Sequence, residues 1–106
     1  MMRMMSSMNC SRNDIVLLPI PFTDLTSRKV RPAVVIGKNG NDLFLVPISS
    51  VLSNTDYSLV KWREAGLNVA CGVKAQIATV EENLVVKIVG QLDADDKKAL
   101  DLCLRR

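Results

Sequence analysis

No histidine occurs among the 106 residues, and only four side chains are aromatic. Losing histidine removes the commonest metal ligand and the commonest acid-base group near neutral pH. Any catalysis must therefore run on Arg, Lys, Asp, Glu, hydroxyls or thiols. The few aromatics exclude an extended platform for stacking bases. Cys10, Cys71 and Cys103 are odd in number and widely spaced, with no Cys-x-x-Cys pair to suggest zinc or a redox motif. They read as reduced thiols of a cytosolic protein. No apolar run approaches the ~18 residues of a membrane span, and neither a repeat nor a linker divides the chain. These absences leave a single soluble domain.

What is present is apolar and moderately basic, with 48% hydrophobic residues and a formal charge of +3. The excess is uneven: residues 1–80 carry nine cations against five acids, and residues 81–106 five against six. Such an imbalance suits a phosphate-rich partner, and it also suits an ordinary solvated surface. All five methionines fall in MMRMMSSM. Residues 1–12 read as a disordered leader, with Met8 as one candidate true start, and 13–106 as the folded domain.

The first strand is expected over Ile15–Leu18, before prolines that a central strand cannot accommodate. PAVVIG and DLFLVPI form a hairpin around Asn39-Gly40, both of which accept positive φ. A fourth strand is predicted at Tyr57–Lys61, then a helical turn Arg63–Gly66 stopped by glycine. Strands over Gly72–Val80 and Leu84–Leu92 follow. Asp93 caps a final helix, with Asp95 and Asp96 in its first turn and Arg105 and Arg106 at its end suiting the dipole. Ala99, Leu100, Cys103 and Leu104 share one face of that helix. The expected architecture is mainly β with a C-terminal helix: five or six short strands in a small, strongly curved antiparallel sheet or barrel, with the helix laid against it.

NDIVLLPIPFTDL, a cationic loop into RPAVVI, then LFLVPISS, then QIATVEENLVVKIVGQL before a terminal helix together resemble the MazF/PemK family of bacterial toxins. The resemblance covers Asn13 to the C-terminus. It implies a small SH3-like barrel of five to seven antiparallel strands that forms a cytoplasmic homodimer and cuts single-stranded RNA, including mRNA, without metal or other cofactor. A cognate antitoxin silences such a toxin, and operator DNA is a partner only together with the antitoxin. The ribose 2′-OH attacks the neighbouring phosphorus, leaving a cyclic phosphate and a 5′-OH. The protein then has to supply positioning, proton transfer and charge stabilisation.

Carried onto this chain, the resemblance puts Arg31 at the family's Arg-Pro position. Its planar guanidinium can bind two phosphate oxygens at once. Ser49 stands where the family commonly has threonine and offers a hydroxyl to the phosphate or the 2′-OH. Around Gln76-Ile77 and Thr79 many relatives carry an acid where this chain has Ala75. The remaining cation, Lys74, would lie opposite Val73 and Ala75 in an ideal strand, so it could serve only through a bulge or a shifted register. Thr23, Thr26, Ser27, Arg28, Lys29 and Gln76 are the expected substrate-binding residues, giving salt-sensitive attraction to RNA. Each of these also has a plain reading: a strand-entrance arginine, a strand-ending serine, a solvated lysine, polar loop residues. Trp62 is expected in the core. Two other functions stay open, an inactive barrel that binds RNA or an antitoxin, and a gyrase-directed toxin of the CcdB kind, whose fold is similar.

Overall fold

A computed structural model describes residues 9–19 and 30–104. Seven strands form one antiparallel sheet: β1 (Asp14–Pro19), β2 (Val30–Asn39), β3 (Asp42–Ser49), β4 (Tyr57–Ser58), β5 (Gly72–Val73), β6 (Ala78–Glu81) and β7 (Lys87–Gln91). One helix, α1 (Ala94–Leu104), ends the described chain. Strand order is β4-β5-β3-β2-β1-β7, with β6 sharing the outer edge of β3 with β5. The mainly β architecture with a C-terminal helix is as expected, and among the described residues no pairing joins β7 to β4 or β6, so the sheet does not close. No helix among the described residues is long and apolar enough to cross a membrane.

The two-residue side-chain period of β1 to β3 sorts their apolar residues into two cores. Ile15, Val34, Val46 and Ile48 pack with Val73, Leu92 and Leu100, and Trp62 lies half-buried against that cluster. Val16, Leu18, Ala33, Val35 and Leu45 pack with Cys10, Val80 and Val85 on the other side. Burying one such Val, Leu or Ile contributes about 1.5–3 kcal/mol. A one-residue slip would exchange the two sets, so the register is firmly held.

Several expected boundaries change. The hairpin keeps Asn39 in the ladder opposite Asp42, leaving Gly40 and Asn41 as the turn. β2 begins at Val30, which makes Arg31 a strand residue opposite Leu18 instead of the last residue of a connection. β4 ends at Ser58, because the backbone N–H groups of Val60 and Lys61 turn toward α1. The expected strand Gly72–Val80 is two strands, and a 3-10 turn at Glu82–Leu84 takes the start of the next. Cys10, read as leader, is buried, and its N–H donates to Glu82 Oε2 at 2.9 Å. All three cysteines are free thiols.

The helix docks through Asp96, one of the two first-turn acids read from the dipole. Asp96 is fully buried and accepts three bonds: from Tyr57 Oη at 2.6 Å, Val60 N at 3.0 Å and Lys61 N at 2.9 Å. Leu100 and Leu104, four and eight residues on, continue that face into the core. Asp93 caps as expected, its Oδ2 accepting Asp95 N at 3.1 Å. Arg105 and Arg106 lie outside the described residues.

Candidate functional site

The site begins with a proline. In a paired strand a residue facing its neighbour exchanges an N–H and a C=O bond with it. Pro47, in the middle of β3, has only the carbonyl to give, and that carbonyl accepts Lys74 N at 3.0 Å. The ladder on this edge fails there. Ile48 pairs with Val73 and Leu45 with Ala78, so residues 74–77 span what Val46 and Pro47 span on β3. Two extra residues bulge out. Within the bulge Gln76 N donates to Lys74 O at 2.8 Å, and Ala75 N to Asp56 Oδ2 at 2.7 Å.

Lys74, at the start of this bulge, borders a cleft of about 500 Å3, within the usual range for small-ligand pockets, about 300–1,000 Å3. Arg31 and Pro32 of β2, Pro47 and Ser49 of β3, and Lys74 line it, closed by the turn Gly66–Val69 and by Val89 of β7. Arg31, Ser49 and Lys74 thus meet in one cavity, although 43 residues of sequence separate the first from the last. None of the described lining residues is acidic. Among the described residues no acid pairs with Arg31 or Lys74, and the walls of Leu17, Ile48, Leu67 and Val89 are apolar. Two unneutralised cations over an apolar floor attract an anion more strongly than the same charges on open surface.

Ser49 Oγ accepts Val51 N at 3.0 Å, which fixes its rotamer and leaves its hydroxyl proton as the group's donor. Gly66 permits the turn that closes the cleft: its φ is 93°, and a side chain there would strike the carbonyl oxygen of Val89. Cys71 also borders the cavity, but burial raises its thiol pKa and the sulfur donates to Val69 O at 3.2 Å. A protonated, engaged thiol is a poor nucleophile, so covalent chemistry at Cys71 is disfavoured. Among the described residues no group of three His, Cys, Asp or Glu could hold a metal ion.

Of the other expected residues, Gln76 is exposed and does not line the cleft. Thr23, Thr26, Ser27, Arg28 and Lys29 lie outside the described residues. Tyr57 is engaged by Asp96, and Trp62 carries the Arg63 guanidinium 5.1 Å from its ring centre. Neither lines the cleft. Asp56 and Asn68 were missed. Pro47 inside an apolar strand was the available signal for a broken ladder.

Comparison with known proteins adds an independent line. Residues 11–106 match the family described as PemK-like, MazF-like toxin of type II toxin-antitoxin system. Among solved structures, the Mycobacterium tuberculosis toxin MazF-mt6 superposes with a TM-score of 0.70 at 16% identity, covering 86% of this chain and 91% of that one. An endoribonuclease in complex with its cognate antitoxin, from a mycobacterial species, gives 0.66 at 15% identity over 92% and 91%. No curated protein sequence matches.

Proposed function

The chain belongs to the PemK-like, MazF-like toxins of type II toxin-antitoxin systems, and from that premise we propose that it is an endoribonuclease acting on single-stranded RNA. The convergence of Arg31, Ser49 and Lys74 in one cleft with no acid among its described lining residues carries this reading. Arg31 grips two oxygens of the scissile phosphate. Ser49 donates its hydroxyl proton to a phosphoryl oxygen or holds the ribose 2′-OH in line. Lys74, on its bulge, stabilises the negative charge that builds on the phosphoryl group.

The reaction needs no bound metal in this scheme, because the nucleophile belongs to the substrate. The 2′-oxygen bonds to phosphorus and releases its proton. The bond to the 5′-oxygen breaks, that oxygen takes up a proton, and the products are a 2′,3′-cyclic phosphate and a 5′-OH end. The cognate antitoxin is the inhibiting partner, and the toxin works as a homodimer in the cytoplasm. Purified protein should cut mixed-sequence RNA in EDTA and leave 5′-OH ends. Failure to cut, or dependence on a divalent cation, overturns the reading.

A further inference from the structure

Lys74 keeps an in-register bond to Pro47, the chain leaves the ladder directly after it, and three bonds hold the departure in place. Lys74 N donates to Pro47 O and Gln76 N to Lys74 O, both backbone to backbone. The third, Ala75 N to Asp56 Oδ2 at 2.7 Å, is the one made by a side chain. Asp56 is itself tied to the same segment, its N–H donating to Val73 O at 2.9 Å. Carboxylate and backbone of one residue thus bracket Val73 to Ala75 from both ends. The fit requires Gly72, where a Cβ would strike Thr55 Oγ1 and come within 2.9 Å of Tyr57 O, so residues 55–57 could not lie this close over any other residue.

Resting on the ribonuclease reading above, we propose that Asp56 is a positioning residue of the cleft, its carboxylate holding the Lys74–Gln76 bulge in the shape that presents Lys74 beside Arg31 and Ser49. Asp56 does not line the cavity and touches no substrate. It acts through Lys74. The ammonium sits on a flexible four-carbon stem, so its placement depends on the backbone that carries it more than a guanidinium fork's would. Releasing the Ala75 amide frees the peptide next to Lys74. The cation then samples positions away from the phosphate, and ångström-scale misplacement is enough to slow a reaction about 100-fold.

A double-mutant cycle tests this. Cleavage of a mixed-sequence RNA in EDTA is measured for wild type, Asp56→Ala, Asp56→Asn, Lys74→Ala and the Asp56→Ala/Lys74→Ala pair. Asp56→Ala should lower kcat/KM roughly 10-fold, and the pair should be no slower than Lys74→Ala alone, because the residue being positioned is gone. Asp56→Asn keeps a carbonyl acceptor for the Ala75 N–H and should stay within about twofold of wild type. A general structural role for Asp56 would multiply with Lys74→Ala, and a need for its charge would make Asn as poor as Ala. Either outcome overturns the proposal. If wild type cuts no RNA, the ribonuclease reading falls, and the same cycle is read as binding of a 2′-O-methyl RNA, which lacks the attacking hydroxyl. Coupling between Asp56 and Lys74 there sustains the positioning role by itself. Additive effects, or no binding at all, end it.

Discussion

Asp96 and the Arg31–Lys74 cleft are both tied to the segment 55–61, the first through Tyr57, Val60 and Lys61 and the second through the Asp56 bond to Ala75, and they handle charge in opposite ways. The Asp96 carboxylate is removed from water and given three donors, each at hydrogen-bond distance. The two cations of the cleft keep no acidic partner among the described residues and sit over apolar walls. A buried charge fully satisfied within the chain serves the fold. A charge left unsatisfied at a cavity wall serves something that comes from outside.

The sharpest way to break this contrast is Asp96→Ala. It takes the acceptor from two part-buried backbone N–H groups and the Tyr57 hydroxyl, and should destabilise the protein by about 3–5 kcal/mol, roughly 1–1.5 kcal/mol for each lost bond. Urea unfolding measures it. A loss under about 1 kcal/mol would mean that Asp96 is no clamp and that α1 is held by Leu100 and Leu104 alone. Arg31→Ala should do the reverse. Stability should stay within about 0.5 kcal/mol, as for an exposed residue without internal partners, while RNA cleavage should fall about 10²–10³-fold as the phosphate loses its preorganised donor. A clear fall in stability would move Arg31 to the structural side of the comparison.

Gly72→Ala addresses the joint between the two regions. The new methyl would meet Thr55 Oγ1 and push away the segment that carries both Asp56 and Tyr57. Overpacking of this kind costs about 1–3 kcal/mol. Cleavage should fall along with stability, since the Ala75 bond and the Tyr57 bond lie on the same displaced segment. A variant with reduced stability and full activity would show that the two regions are independent.

Much of this was legible from the residues. Short apolar, β-branched-rich runs at Ile15–Leu18, 32–37 and 42–48 marked three strands, and the runs are continuous because both faces of these strands meet a core. Arg31 and Ser49 were identified through resemblance, and they do line one cleft with Lys74. The break at Lys74 was harder to see. Residues 72–80 have strand composition throughout, and the cause of the break is Pro47, some thirty positions earlier on the neighbouring strand. Asp96 was rightly placed in the first helical turn, but its partners were out of sight for a similar reason: an acid there suits the dipole wherever it points, and only the tertiary fold brings Tyr57, Val60 and Lys61 to it. Both gaps concern hydrogen-bond partners distant in sequence. Local patterns carry strand-forming runs well and remote acceptors not at all.

Tyr57→Phe is the smallest change that still separates the two regions, and its signature lies in pH. Burial, the bond to Asp96 and the Asp96 charge all favour the neutral phenol, pushing its pKa up to about 12, against an ordinary value near 10. With the folded pKa raised, the stabilisation is fully present below pH 10 and is lost as pH climbs toward 12. At pH 7 to 8 the phenylalanine variant should be less stable by about 1–2 kcal/mol, the worth of a hydrogen bond to a charged acceptor. That gap should narrow between pH 10 and 12. The Cys10 thiol, raised to about 11 by burial and by Glu82, also loses stabilisation on the alkaline side, but it does so equally in both proteins and cancels in the difference. Urea midpoints of wild type and variant from pH 8 to 12 measure it. A gap constant across that range would mean that the phenol does not titrate against Asp96, and the clamp would then rest on the Val60 and Lys61 amides alone.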